Sequence, residues 1–198
     1  MSPGPTFERV YRELRRQLRE GTRPPGAPLE PKVIGDELGT SFTPVRDALH
    51  RLVGEGLVDN PQHNGFSVPR PTEQGLRDLY GWAGEVVGLA VARMRASPAS
   101  DPAEHADSDD ATEALFLSIA DATGNREHAR TMRRLAARLA PYRRVEAHHF
   151  VDVTSEREAL ATLVRANARA QLVRAVARYH RRRISAAPEI LALLPGNG

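Results

Sequence analysis

Four side chains crowd the start of one amphipathic segment, "SFTPVRDALHRLVGEGLV": Ser41, Thr43, Arg46 and His50. Two hydroxyls, a guanidinium and an imidazole at this spacing are groups for recognition. They bind anions and the polar edges of a partner. The N-terminus of a helix carries partial positive charge, so it attracts anions and is a poor place for a cation. Arg46 in that first turn therefore suits a charge outside the protein. Each residue also has a plainer reading: Arg46 could pair with Asp36 or Glu37, and His50 could be merely exposed.

The elements that must position these groups can be read from spacing. Phe7, Val10, Tyr11, Leu14 and Leu18 predict a helix over residues 5–20 with one inward stripe. "GTRPPGAP", residues 21–28, interrupts regular structure. A short helix over 31–38 ends at Gly39. Thr43 is expected to cap the next helix, with Pro44 at its favoured first position. Val45, Ala48, Leu49, Leu52 and Val53 form its buried face. Arg46 points away from that stripe. Leu57-Val58 and Phe66-Ser67-Val68 are strand candidates across a Pro/Asn/Gly turn, a hairpin. Three helices and a hairpin in about 70 residues describe a winged helix-turn-helix, whose second helix enters the major groove N-terminus first.

Pro69 and Pro71 mark a boundary, and beyond it the periodicity is helical throughout. Thr72 caps a long helix to about Arg95. Further helices are predicted over 110–123, 125–146, 155–183 with a break near Asn167, and 188–194. The fold class is mainly α: residues 1–70 a winged helix-turn-helix, residues 71–198 an all-α bundle. "SPASDPAEHADSD" is expected to be an acidic surface loop. From Arg126 to Arg183 there are fifteen Arg against five acids. Pairs such as Arg130/Arg134 and Arg174/Arg178 are expected on a solvated face, or else on a surface for an acidic partner.

Composition narrows the classes further. The 198 residues carry a formal charge of +3, Lys32 is the sole lysine, and there is no Cys. That excludes a disulfide framework and thiolate metal sites, and fits a reducing cytoplasm. No run approaches the ~20 apolar residues of a bilayer span, and the N-terminus lacks a signal-peptide core. There is no Ser-His-acid pattern, no phosphate-cradling Gly loop and no HExxH, so an enzyme is not expected.

The segment from Val10 to Val68, above all "TPVRDALHRLVGEGLV" and "NGFSV", resembles the DNA-binding domain of GntR-family bacterial transcription regulators. The continuation "PRPTEQGLRDLYGWAGEVVGLAVARM", and more loosely "FLSIADATGN" and "EREALATLVRANARAQLVRAVARYH", resembles the FadR-type, FCD-class ligand-binding domain. The resemblance implies DNA contacts from Lys32, Ser41, Phe42, Thr43, Arg46, Asn64 and Gly65; His50, by its place one turn after Arg46, could reach a phosphate. Phe42 departs from the family, which usually has Arg there. A phenyl ring can touch a thymine methyl or pack between helices, but it makes no bidentate base contact. A homodimer on a palindromic double-stranded operator is implied, as a repressor answering to a small metabolite.

In the FCD class an Asp and three His often hold a divalent metal that an effector carboxylate completes. Mapped here, Glu113 takes the Asp position, Leu117 the first His, Arg157 the next, and Tyr179 or His180 the last. Two ligands are too few for Zn²⁺, so no metal and no cofactor is expected. His148 and His149 are expected exposed on a loop. Arg157 either neutralises an anionic effector directly or pairs with Glu113. Ala83 and Val87 stand where relatives often carry Arg and Glu, which suggests a more apolar cavity with Trp82 or Tyr80 nearby. An effector-independent architectural or partner-recruiting DNA-binding protein is the alternative.

Overall fold

A computed structural model describes residues 4–61, 65–94 and 110–196. The acidic stretch at 97–109, Arg95 and Asn64 lie outside them. The chain divides into two compact units, Met1–Pro71 with Ala192–Gly198 and Thr72–Leu191. Residues 192–196, expected with the bundle, cluster with the first unit.

In the first unit α1 (Pro5–Glu20), α2 (Pro31–Glu37) and α3 (Phe42–Glu55) enclose one core. Val10, Leu14, Leu29, Ile34, Val45, Ala48, Leu49 and Leu52 are almost fully buried there. The predicted stripes of α1 and α3 thus face each other, and removing their apolar area from water is the main stabilising term. Tyr11 adds a polar tie: its hydroxyl donates to Glu55 over 2.6 Å, which fixes the end of α3 against α1. Helix α3 starts one residue before the expected cap. Ser41 is the extended N-cap, Phe42 the first helical residue, and Thr43 lies inside the first turn. Pro44 fits there because the first-turn N–H groups have no intrahelical acceptor anyway.

The expected hairpin is smaller than predicted and has a third member. Ser67 pairs antiparallel with Asp59 on one side and Pro28 on the other, as isolated bridges. Asp59 and Ser67 exchange both backbone bonds (2.9 and 3.0 Å). Leu29 N–H donates to Phe66 O, and Val68 N–H to Ala27 O. Residues 26–29, read from sequence as a break, thus form an edge of the wing. Three prolines in the "RPPGAP" run obscured them.

The second unit is helical: α4 (Glu73–Arg93), α5 (Ala111–Asp121), α6 (Arg126–His149), α7 (Val153–Arg165), α8 (Arg169–Ser185) and α9 (Ala187–Ala192), the last straddling the boundary. Thr72 caps α4 by accepting from Gly75 N–H at 3.0 Å. Asp110 and Asn125 cap α5 and α6 in the same way. The break between α7 and α8 falls at Asn167, with φ 50°; a short polar side chain tolerates this left-handed conformation better than most. His148 and His149 are exposed as expected, though they belong to the last turn of α6 rather than to a loop. No helix among the described residues is long and apolar enough to cross a membrane.

Candidate functional site

The helix-turn-helix is closed by one tight approach. Thr40 N–H donates to Gly35 O at 2.9 Å, and a Cβ at Gly35 would lie 2.8 Å from Thr40 O. Only glycine lets the turn between α2 and α3 come this close. Ser41, Phe42, Thr43 and Arg46 at the start of α3 are exposed, as is Lys32 at the start of α2, while Val45 and Leu49 anchor α3 from behind. No cap hydrogen bond engages the Ser41 side chain. Neither intramolecular partner considered for Arg46 is taken up: Glu37 binds Arg23 at 2.5 Å, and no ion pair links Arg46 to Asp36. Asp36 and Asp47 are exposed nearby, so the surface is polar rather than uniformly positive.

Phe42 is 56% exposed, which excludes packing between helices. His50 is exposed but not idle. Its ring meets Phe66 edge-on with centroids 4.9 Å apart, so it couples α3 to the wing. Gly65 is exposed beside it; Asn64 lies outside the described residues. The backbone at Gly65 has φ 91°, a conformation strained for any residue with a Cβ.

In the bundle, the residues mapped onto the family's metal and effector positions only partly converge. Glu113, Tyr179 and His180 are buried, and Phe116 touches both rings, at 5.1 Å from Tyr179 and 5.5 Å from His180. Arg157 does not join them. It is half-exposed on α7 and forms no ion pair with Glu113, which binds Arg143 instead, correcting the pairing considered for it. Trp82, expected near the cavity, is 49% exposed on α4.

Two other arginines fill the interior. Arg143 of α6 donates to Glu113 at 2.7 Å, to Ala136 O at 2.7 Å and to Asp110. Arg183 of α8, wholly buried, donates to Glu146 at 2.8 Å, to Glu156 at 2.9 Å and to Tyr179 O at 3.1 Å, and lies 3.4 Å over the Tyr179 ring. Tyr80 of α4 donates to the same Glu146. Sequence reasoning missed Arg143, Glu146 and Arg183. One signal was present: both arginines interrupt apolar stripes of their helices, where a solvated Arg has no place.

These pairs set the local ionisation. Burial would raise the Asp110 carboxyl, but Arg143 outweighs it and holds the group below its ordinary value. Burial, then the Glu146 charge, push the Tyr80 and Tyr179 hydroxyls well up. Burial lowers His180 from 6.5 to about 4, helped by the positive Arg183 and Arg143. A neutral imidazole donating Nδ1–H to Val176 O at 2.8 Å fits this environment. Among the described residues no three His or acidic groups gather as a metal site. Glu113 is committed to a guanidinium, and a cation there would have to displace Arg143.

Residues 6–68 match the family of bacterial regulatory proteins called gntR. The match covers the first unit, about a third of the chain. Over 83 residues it is 36% identical to the HTH-type transcriptional regulator McbR of Escherichia coli, covering 42% of this chain and 38% of that protein. Over 80 residues it is 34% identical to the HTH-type transcriptional repressor NagR of Bacillus subtilis, covering 39% and 33%. The aligned stretch thus spans about a third of these curated relatives. By structure, this chain is similar to E. coli McbR/YncC (TM-score 0.67, 21% identity, 94% of this chain and 99% of that one). It is similar also to a GntR protein of Rhodococcus sp. RHA1 (TM-score 0.74, 22% identity, 94% and 97%). At these identities the likeness concerns the fold, and the all-helical second unit is consistent with the FCD class.

Proposed function

We propose that this GntR-family protein is a sequence-specific DNA-binding transcription regulator, acting as a homodimeric repressor on a palindromic operator. The observation that carries the reading is the exposed edge of α3. Among the described residues Ser41, Thr43 and Arg46 have no side-chain partner, on a helix anchored by its opposite face, with Lys32 close in sequence. In this reading Arg46 addresses a guanine edge, Lys32, Ser41, Thr43 and His50 address phosphates, and the wing tip at Asn64-Gly65 follows the backbone. Phe42 contacts a thymine methyl. The relatives' names, transcriptional regulator and repressor, support the same conclusion.

The effector is a separate matter. Buried Arg143 and Arg183 are balanced by buried Glu113 and Glu146. An anionic metabolite on these guanidiniums would have to replace a carboxylate of the chain, and breaking a buried pair costs about 3–5 kcal/mol. This balance favours the second reading, a regulator whose bundle interior answers to no carboxylate. Selection of bound sites from random DNA tests the main proposal: one palindromic consensus is expected, and diffuse recovery without a consensus would refute it. Titrating the complex with small carboxylates, with and without Zn²⁺, separates the two readings, since release of DNA would favour an effector.

A further inference from the structure

Of the arginines in the first unit, Arg9, Arg15, Arg16, Arg23 and Arg51 each hold a carboxylate or a carbonyl of the chain. Arg70 holds none, and like Arg46 it has no ion-pair partner among the described residues. Its guanidinium is nevertheless placed. A Cβ on Gly26 would lie 2.3 Å from Arg70 Nε and 2.5 Å from its Cζ, so the missing side chain of Gly26 is what seats it. Gly26 is held in turn by donating its N–H to Val68 O at 2.9 Å.

Arg70 forms one wall of a cleft of about 410 Å³ at the base of the wing, within the size range of small-molecule sites. Asp59, Asn60 and Ser67 are its other polar walls. Among the described residues none of these side chains is committed elsewhere. The backbones of Asp59 and Ser67 pair with each other, but their side chains make no hydrogen bond or ion pair. Asn60 Oδ1 is buried without a partner, which destabilises the chain until a donor reaches it. No ion pair joins Asp59 to Arg70.

We propose that this cleft binds a small zwitterion, a free α-amino acid. Opposite charges that line one space without meeting are complementary to a molecule that carries both. Arg70 offers its fork to the carboxylate. Asp59 and the Ser67 hydroxyl accept from the ammonium, joined by Asn60 Oδ1 after a turn of its amide. A simple carboxylate would face Asp59 unpaired, and a simple amine would face Arg70 in the same way, so charge disfavours both. A bound zwitterion also ties Arg70, next to the boundary at Pro71, to the wing base at Asp59. None of these residues belongs to the α3 edge assigned to DNA, so the site does not rest on that assignment.

Calorimetric titration of the full chain with each common L-α-amino acid is the test. The N-acetyl derivative and the amide of any that binds serve as probes lacking one charge each. Binding by one or a few amino acids is expected, with both derivatives and both variants, Asp59→Asn and Arg70→Gln, weaker by about tenfold or more. Neither side chain has a partner in the described chain, so the melting temperatures of the variants should match the parent and exclude misfolding as the cause. No binding across the panel overturns the site, as does equal binding of a singly charged derivative or binding that survives either substitution. Selection of sites from random DNA is unaffected by any of these results.

Discussion

Arg46 and His180 show how differently two basic side chains can be used. Arg46 is exposed and forms no ion pair with Asp36 or Glu37. Replacing it by Ala should weaken binding to the selected operator by about 1–3 kcal/mol while leaving random DNA almost unchanged; equal losses on both in a titration would remove its base-reading role. His180 is enclosed, and its value falls from 6.5 to about 4. Below pH 6.5 the unfolded chain takes up the proton and the folded chain resists it. The stabilisation is complete above about pH 6.5 and is lost as pH falls towards 4. On this group's account it is about 3 kcal/mol. Denaturant melts at pH 7 and pH 4.5 should show it, and His180→Asn, which keeps a donor but does not titrate, should reduce the pH dependence. The exposure of Ser41, Thr43 and Arg46 was legible in the sequence because they break an amphipathic pattern at a helix start. Arg143 and Arg183 were not. A buried guanidinium is recognised by its carboxylates, and those sit 30, 37 and 27 residues away in the chain, at Glu113, Glu146 and Glu156.

Among the elements, helix boundaries followed the caps closely where a side chain supplies the bond, as at Thr72. They shifted where none does, as at Ser41. The wing was underread for a related reason. Its third segment pairs through backbone alone, and residues 26–29 carry no alternating pattern to announce it. Helices α2 and α3 offer a sharp test of local packing. Gly54 in α3 has open space around it, whereas a Cβ on Gly35 in α2 would press on the Thr40 carbonyl at 2.8 Å. Gly54→Ala should stabilise the first unit by about 0.5–1 kcal/mol through helix propensity. Gly35→Ala should destabilise it by about 1–3 kcal/mol, since backbone cannot step aside as a flexible side chain can. Thermal melts of the two variants check the contrast, and loss of DNA binding should accompany only the second.

For the whole molecule, the division of labour was visible in the sequence as a change of period: a compact helix-turn-helix with wing, then helices alone. The prolines at 69 and 71 marked the boundary, and the units part at Pro71. What the sequence could not reveal was that the final segment groups with the first unit, because contacts between distant parts of a chain leave no local pattern. The arginine excess also sorted as its spacing suggested. Arg130, Arg134, Arg174 and Arg178 are exposed, while the two that serve the interior are each surrounded by acids.

Ser67 is bonded to neighbours on both flanks, Asp59 and Pro28. A tether joining the first two helices is thereby also a strut beneath the wing. Shortening that tether by even one residue would pull on Ser67 from its Pro28 side and so disturb its pairing with Asp59.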